Sequence, residues 1–191
     1  GGGIRKIVIP ECVMTIGESA FADNIDVEEI MVPESVISIG RSAFRDCSSL
    51  KKFEIPAISG RLFDFFAKDG EHWVITNTMS ETLKKITIVG TPEIIPAEYF
   101  RGCQYLEEIE LPDSVKEIGM NAFTYCSKLS ELKIPPNCEI IDDYAFSMLH
   151  LKGLSLPATV KKIGNYIFSE SDLETLEIEG KDTEIKCLGA N

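Results

Sequence analysis

The sequence predicts a repeat solenoid: a right-handed coil that stacks a parallel β-sheet of about eight strands, with a period of 22–23 residues. Three observations predict it. An apolar tetrad, mostly ending in proline, recurs in register along the chain. An Ile-Gly pair and an Ala-Phe pair follow that tetrad in phase. Finally, 191 residues of which 44% are hydrophobic can bury the layered core that such a coil needs.

The tetrads are Ile7-Val8-Ile9-Pro10, Ile30-Met31-Val32-Pro33, Phe53-Glu54-Ile55-Pro56, Ile109-Glu110-Leu111-Pro112, Leu132-Lys133-Ile134-Pro135 and Leu154-Ser155-Leu156-Pro157. Ile86-Thr87-Ile88-Val89 and Leu176-Glu177-Ile178-Glu179 are copies without the proline. Their fourth positions are separated by 23, 23, 33, 23, 23, 22 and 22 residues. Within each tetrad apolar residues alternate with variable ones, the period-2 signature of a half-buried strand. Proline ends the strand because it supplies no N–H to a further pairing.

The later positions also keep step. Val13, Val36, Val115 and Val160 lie third after the tetrad, and Ile16-Gly17, Ile39-Gly40, Ile118-Gly119 and Ile163-Gly164 lie sixth and seventh. The glycine marks a bend where a side chain would crowd or φ is positive. Ala20-Phe21, Ala43-Phe44, Ala122-Phe123 and Ala145-Phe146 follow, with Tyr99-Phe100 and Ile167-Phe168 as variants. A ring beside a small residue suits a layered core. Cys47, Cys103 and Cys126, then Leu50, Leu106 and Leu129, complete the unit. No coil of 23 residues buries its own apolar face, so the coils must stack, strand on strand, at about 4.8 Å.

A unit reading L-x-x-I-x-I-P-x-x-V-x-x-I-G-x-x-A-F-x-x-C-x-x-L resembles the BspA-type, or Treponema-pallidum-like, leucine-rich repeat. The resemblance runs over roughly Ile4 to Ile178 and is disturbed between Leu50 and Leu83. It implies a leucine-rich-repeat coil over residues 1–191 as one domain, in a cell-surface or secreted adhesion-type protein of a host-associated microbe. Some relatives bind extracellular-matrix or host proteins, so the resemblance implies a protein ligand.

Composition narrows the partners. There are 31 acidic against 19 basic residues, a formal net charge of -12. That balance argues against nucleic acid or an anionic membrane surface as the main partner. No run of 18 apolar residues exists to span a bilayer. The chain has no CxxC, GxSxG, Walker, GxGxxG or HExxH pattern, and His72 and His150 share no metal-ligand spacing. We therefore expect no enzyme, no cofactor and no metal site.

Outward strand positions are the first candidates for function. One row is Lys6, Glu29, Lys52, Lys85, Glu108, Glu131, Gly153 and Thr175; the other is Val8, Met31, Glu54, Thr87, Glu110, Lys133, Ser155 and Glu177. From these the candidate protein-binding residues are Lys52, Glu54, Lys85, Thr87, Glu108, Glu110, Glu131 and Lys133. Neither row holds an aromatic side chain, which weighs against glycan stacking. Opposite charges on neighbouring strands, such as Glu110 and Lys133, equally suit simple cross-strand pairs. A spacer or self-assembly domain without a soluble ligand is thus the alternative.

The longer repeat, 57–89, offers a second candidate. It carries Phe63, Phe65, Phe66 and the only tryptophan, Trp73, with Asp69-Gly70 as a turn signal for a small hairpin or looped excursion. Phe63 and Trp73 are candidate anchors if exposed; rings that plug a gap in the irregular coil are the structural alternative.

Cys103 and Cys126 share a coil position in consecutive repeats, which leaves a disulfide geometrically open. Asn24 and Ser171 at the same position favour free buried thiols. Cys138 stands where other coils have valine. The first strand starts within three residues of Gly1 with no half-coil before it, so we expect more chain ahead of it. Residues 181–191 depart from the repeat and are expected to cover the last coil.

Overall fold

The computed structural model describes residues 3–67 and 79–187, wound as a stack of coils. In chain order the first coils supply β1 (Lys6–Val8), β2 (Thr15–Ile16), β3 (Glu29–Met31), β4 (Ser38–Ile39) and β5 (Lys52–Pro56). A one-turn helix, α1 (Leu62–Phe66), follows. Then come β6 (Lys85–Val89), β7 (Ile94–Ile95), β8 (Glu108–Glu110), β9 (Glu117–Ile118) and β10 (Ile140–Ile141). The last strands are β11 (Gly153–Leu156), β12 (Lys162–Ile163), β13 (Thr175–Ile178) and β14 (Glu184–Ile185).

The tetrads build a front sheet. β1, β3, β5, β6 and β8 pair in parallel in that order, and β11 pairs with β13 in the same sense. The register joins Lys6, Glu29, Lys52, Lys85 and Glu108 in one row, as the repeat spacing requires. Alternation puts Phe53 and Ile55 of β5 inside and Lys52 in solvent.

Two features depart from the expectation of one eight-stranded sheet. The Leu132 tetrad forms no strand, so the front sheet is interrupted there. A second, back sheet arises from the Ile-Gly segments: β2 pairs with β4, and β7, β9, β10, β12 and β14 form a continuous parallel ladder. Two-residue strands carry too little alternation for periodicity to reveal them. Beyond the last tetrad, β14 extends the back sheet: Glu184 and Ile185 pair with Lys162 and Ile163.

A third ladder runs through the turns. The N–H groups of Asn121, Phe123 and Tyr125 donate to the carbonyls of Asp143, Ala145 and Ser147 one coil further on. In the six coils that carry this arc, two residues each adopt positive φ. Ser19, Ser42, Glu98, Asn121, Tyr144 and Tyr166 hold the first position, and Asp23, Asp46, Gly102, Tyr125, Met148 and Glu170 the second. The bend glycines Gly40, Gly119 and Gly164, by contrast, are present for space, whereas Gly17 in the first coil has nothing within 4 Å of an added Cβ. A Cβ on Gly40 would lie 2.4 Å from the backbone nitrogen of Glu18, and one on Gly164 2.5 Å from that of Asp143.

Between the sheets and the arc sits a column of rings. Phe100 and Phe123 are 5.0 Å apart, Phe123 and Phe146 5.9 Å, and Phe146 and Phe168 6.0 Å. In the irregular coil α1 replaces the Ala-Phe arc. Phe66 meets Phe53 edge-on at 5.6 Å, and Phe65 and Leu62 are buried, so these rings fill the core. The Tyr99 hydroxyl donates to the Pro56 carbonyl at 2.7 Å, and its ring occupies the room that the coil leaves. The Asp69-Gly70 turn, His72 and Trp73 lie outside the described residues.

Candidate functional site

The candidate residues sit at three places. Lys52, Glu54, Lys85, Thr87, Glu108 and Glu110 stand on paired strands of the front sheet, in the register that the repeat spacing implied. Glu131 and Lys133 stand on the unpaired segment that follows. Phe63 is half-buried on α1, in the turn arc rather than on the front face: its neighbours Asp64 and Phe65 accept from the N–H groups of Ser42 and Phe44.

Most charges on the front strands of the first five coils pair with one another. Lys6 and Lys52 both reach Glu29, at 3.1 and 3.8 Å. Lys85 bridges Glu108 at 2.7 Å and Glu110 at 2.6 Å, and Thr87 donates to the second oxygen of Glu110. Those two carboxylates push the Lys85 ammonium up to about 12. Lys85 and Thr87 in turn hold Glu110 below the usual carboxylate range. Among the described residues Glu110 pairs with Lys85 and not with Lys133. A third row, which the two-row reading missed, lies just before the strands: Lys51 bonds Glu28 at 2.7 Å and Lys84 meets Glu107 at 2.8 Å. Its members precede the alternating tetrad, so strand periodicity did not mark them.

Pairing stops at the interruption. Among the described residues no backbone hydrogen bond joins 130–134 to either neighbouring coil, and Glu131 and Lys133 form no ion pair. A groove of about 560 Å³ opens there, between Asp113, Glu131 and Lys133 on one side and Gly153, Ser155 and Glu179 on the other. Gly153 and Ser155 stand where most other coils carry charged or long side chains, and that small-residue pair was the readable signal for it. A smaller hollow of about 260 Å³ lies at the other end of the sheet, against Val8, Met31 and Glu54.

The cysteines have a structural employment. All six are free thiols. Cys47 and Cys126 donate to the Phe21 and Phe100 carbonyls of the preceding coil, at 3.3 and 3.1 Å. Asn24 and Ser171 donate to the phenylalanine carbonyl of their own coil, which explains why Asn, Ser and Cys interchange here. Cys103 donates to the Met79 sulfur at 3.4 Å. Burial pushes the Cys47 thiol up to about 11 and the Cys138 thiol up to about 12. Among the described residues no group of three or more His, Cys, Asp or Glu side chains could hold a metal ion, and no helix is long and apolar enough to cross a membrane.

Comparison with known proteins agrees with this architecture. A leucine rich cell surface protein of Faecalibacterium prausnitzii A2-165 is 25% identical, with a TM-score of 0.52 over 94% of this chain and 49% of that one. This chain therefore spans about half the length of that protein. A leucine-rich repeat protein of T. pallidum is 21% identical, with a TM-score of 0.49 over 94% of this chain and 72% of its own. One from Bacteroides ovatus is 25% identical, with a TM-score of 0.43 over 96% of this chain and 59% of its own. No curated protein matches the chain. The model of the BspA type leucine rich repeat region matches residues 2–66 and 77–187 in six copies. The same coils that stack the front sheet, back sheet and phenylalanine column are thus that repeat, and the chain belongs to the BspA-type leucine-rich repeat family.

Proposed function

We propose that this chain is a protein-binding module of a cell-surface or secreted protein, and that its front sheet contacts a host-surface or extracellular-matrix protein. The observation that carries the reading is the rigid, in-register display of polar side chains from Lys52 to Glu110. Backbone pairing holds these positions near 4.8 Å, so a partner meets groups that need little further ordering. Extended surfaces of this kind are what repeat solenoids offer to ligands. The cell-surface description of the F. prausnitzii protein supports the location.

The test is saturable binding of the purified chain to a panel of matrix and host-surface proteins at physiological salt, beside Lys85→Glu and Trp73→Ala. We expect at least one ligand whose affinity falls tenfold or more in Lys85→Glu and is unchanged in Trp73→Ala. Loss confined to Trp73→Ala would move the site to the irregular coil, and silence across the panel would overturn the reading.

The mutual neutralisation of Lys6, Glu29 and Lys52, and of Lys85, Glu108 and Glu110, favours a second reading, an inert spacer wall. If self-assembly is its task, light scattering should show mass rising with concentration.

A further inference from the structure

The front face changes character once along its length. From Lys6 to Glu110 every strand is hydrogen-bonded to its neighbour, and most charges are paired across strands. At 130–134 both kinds of pairing cease, although Leu132 and Ile134 still point into the core. The back sheet is unbroken at this level through β9, β10 and β12, so the coil is held in place while its front edge stays open. Pro135-Pro136 follows the segment and Gly153 faces it; the one pair removes N–H donors and the other residue leaves no side chain to close the gap.

We propose that this break is a docking groove for an extended, lysine- or arginine-bearing segment of a protein partner. Unpaired backbone groups on an extended segment are a template for a further chain, which bonds to them as an added strand does. Charge decides the kind of chain. Asp113, Glu131 and Glu179 line the groove against a single base, Lys133. None of the three carboxylates is in an ion pair among the described residues, and the only side-chain bond made by any of them is that of Glu179 to the Ser155 hydroxyl at 3.5 Å. An acidic or neutral segment would leave them unanswered. The 560 Å³ of the groove accommodates a few extended residues, with Gly153 and Ser155 giving the backbone room to approach. This proposal rests on the protein-binding reading above and narrows it to one partner chemistry and one stretch of the face.

The probe is a fluorescein-labelled octapeptide of alternating Lys and Val, compared with its Glu-Val counterpart and with a version N-methylated at alternate residues. The variants are Asp113→Asn/Glu131→Gln/Glu179→Gln, the filled groove Ser155→Trp, and a charge-matched control, Glu11→Gln/Glu18→Gln/Asp26→Asn. We expect the Lys-Val peptide to bind the native chain, to lose at least tenfold in the groove triple and in Ser155→Trp, and to stay within twofold in the control. The Glu-Val and N-methylated peptides should bind at least tenfold more weakly. Hydrogen exchange should slow at 130–134 when the Lys-Val peptide is added. Equal weakening in the two triples, or unchanged exchange at 130–134, would reduce the effect to the chain's overall negative charge and overturn the groove. A host ligand that is lost in Lys85→Glu but unaffected by the groove triple would also overturn it, while leaving the front-sheet reading standing.

Discussion

At the scale of the residue, the turn arc shows where backbone strain is stored. An L-residue in the left-handed region costs roughly 1–2 kcal/mol, and glycine loses about 0.5–1 kcal/mol of that advantage through chain entropy. Gly102 takes the second arc position in its coil, while Glu170 takes it exposed and with positive φ. Glu170→Gly should therefore stabilise the chain by about 0.5 kcal/mol, a melting shift of about 1–2 °C. A fall in the melting temperature would show that the arc tolerates L-residues without strain. The buried thiols supply a second prediction. An unfolded cysteine loses its proton near pH 8.5. The folded chain holds those of Cys47 and Cys138 until about 11 and 12. Stability from these groups is whole below pH 8.5 and drains as pH rises through the folded values. Cys138 stands at a valine position, so Cys138→Val should lose less of its urea midpoint between pH 8 and pH 10 than the native chain does. Identical losses would remove the thiol from the account.

At the scale of the element, the irregular coil is where sequence and structure diverge most instructively. The alternation in the tetrads made the front strands legible, and Ala43-Phe44 or Ala122-Phe123 made the ring column legible, because both are long-range repeats of one chemistry. Left unread were the two-residue back strands, the positive φ of residues as different as Ser19, Glu98 and Tyr144, and the open segment at 130–134. The first two have their causes in contacts between coils, and the third shows only when Pro135-Pro136 is set against Gly153 and Ser155 one coil on. Tyr99 is a case between the two. Its departure from Ala was visible, but the reason is the neighbouring coil, where α1 replaces the arc and the tyrosine ring and hydroxyl fill and cap the space. Tyr99→Phe keeps the ring and removes the donor to Pro56. The buried carbonyl then goes without that partner at a cost of about 1–3 kcal/mol, read as a lower urea midpoint with an unchanged slope. A midpoint within error of the native one would mean that the carbonyl finds another donor.

At the scale of the whole molecule, the two interruptions are staggered. Among the described residues no back-sheet pairing joins β4 to β7, at the level where β5 and β6 pair over their full five residues. The front sheet breaks between β8 and β11, at the level where the back sheet runs on through β9, β10 and β12. Each seam is bridged by the opposite sheet. In a stack whose coils touch only their neighbours, cooperativity depends on the weakest such joint. Ile140 and Glu117 hold the same coil position, and each donates its N–H to the coil before, Ile140 to Lys116 and Glu117 to Glu93. Proline at either removes one ladder bond. At Glu117 the front pairing of β6 with β8 persists alongside the arc. At Ile140 no front pairing exists, and only the arc and the rest of the back sheet remain. Glu117→Pro should accordingly melt in one transition at a reduced temperature, whereas Ile140→Pro should split calorimetric unfolding into two transitions, the C-terminal coils parting from the rest. If both variants melt in a single transition of equal enthalpy, the front interruption is not a joint, and the turn arc alone carries the coupling across it.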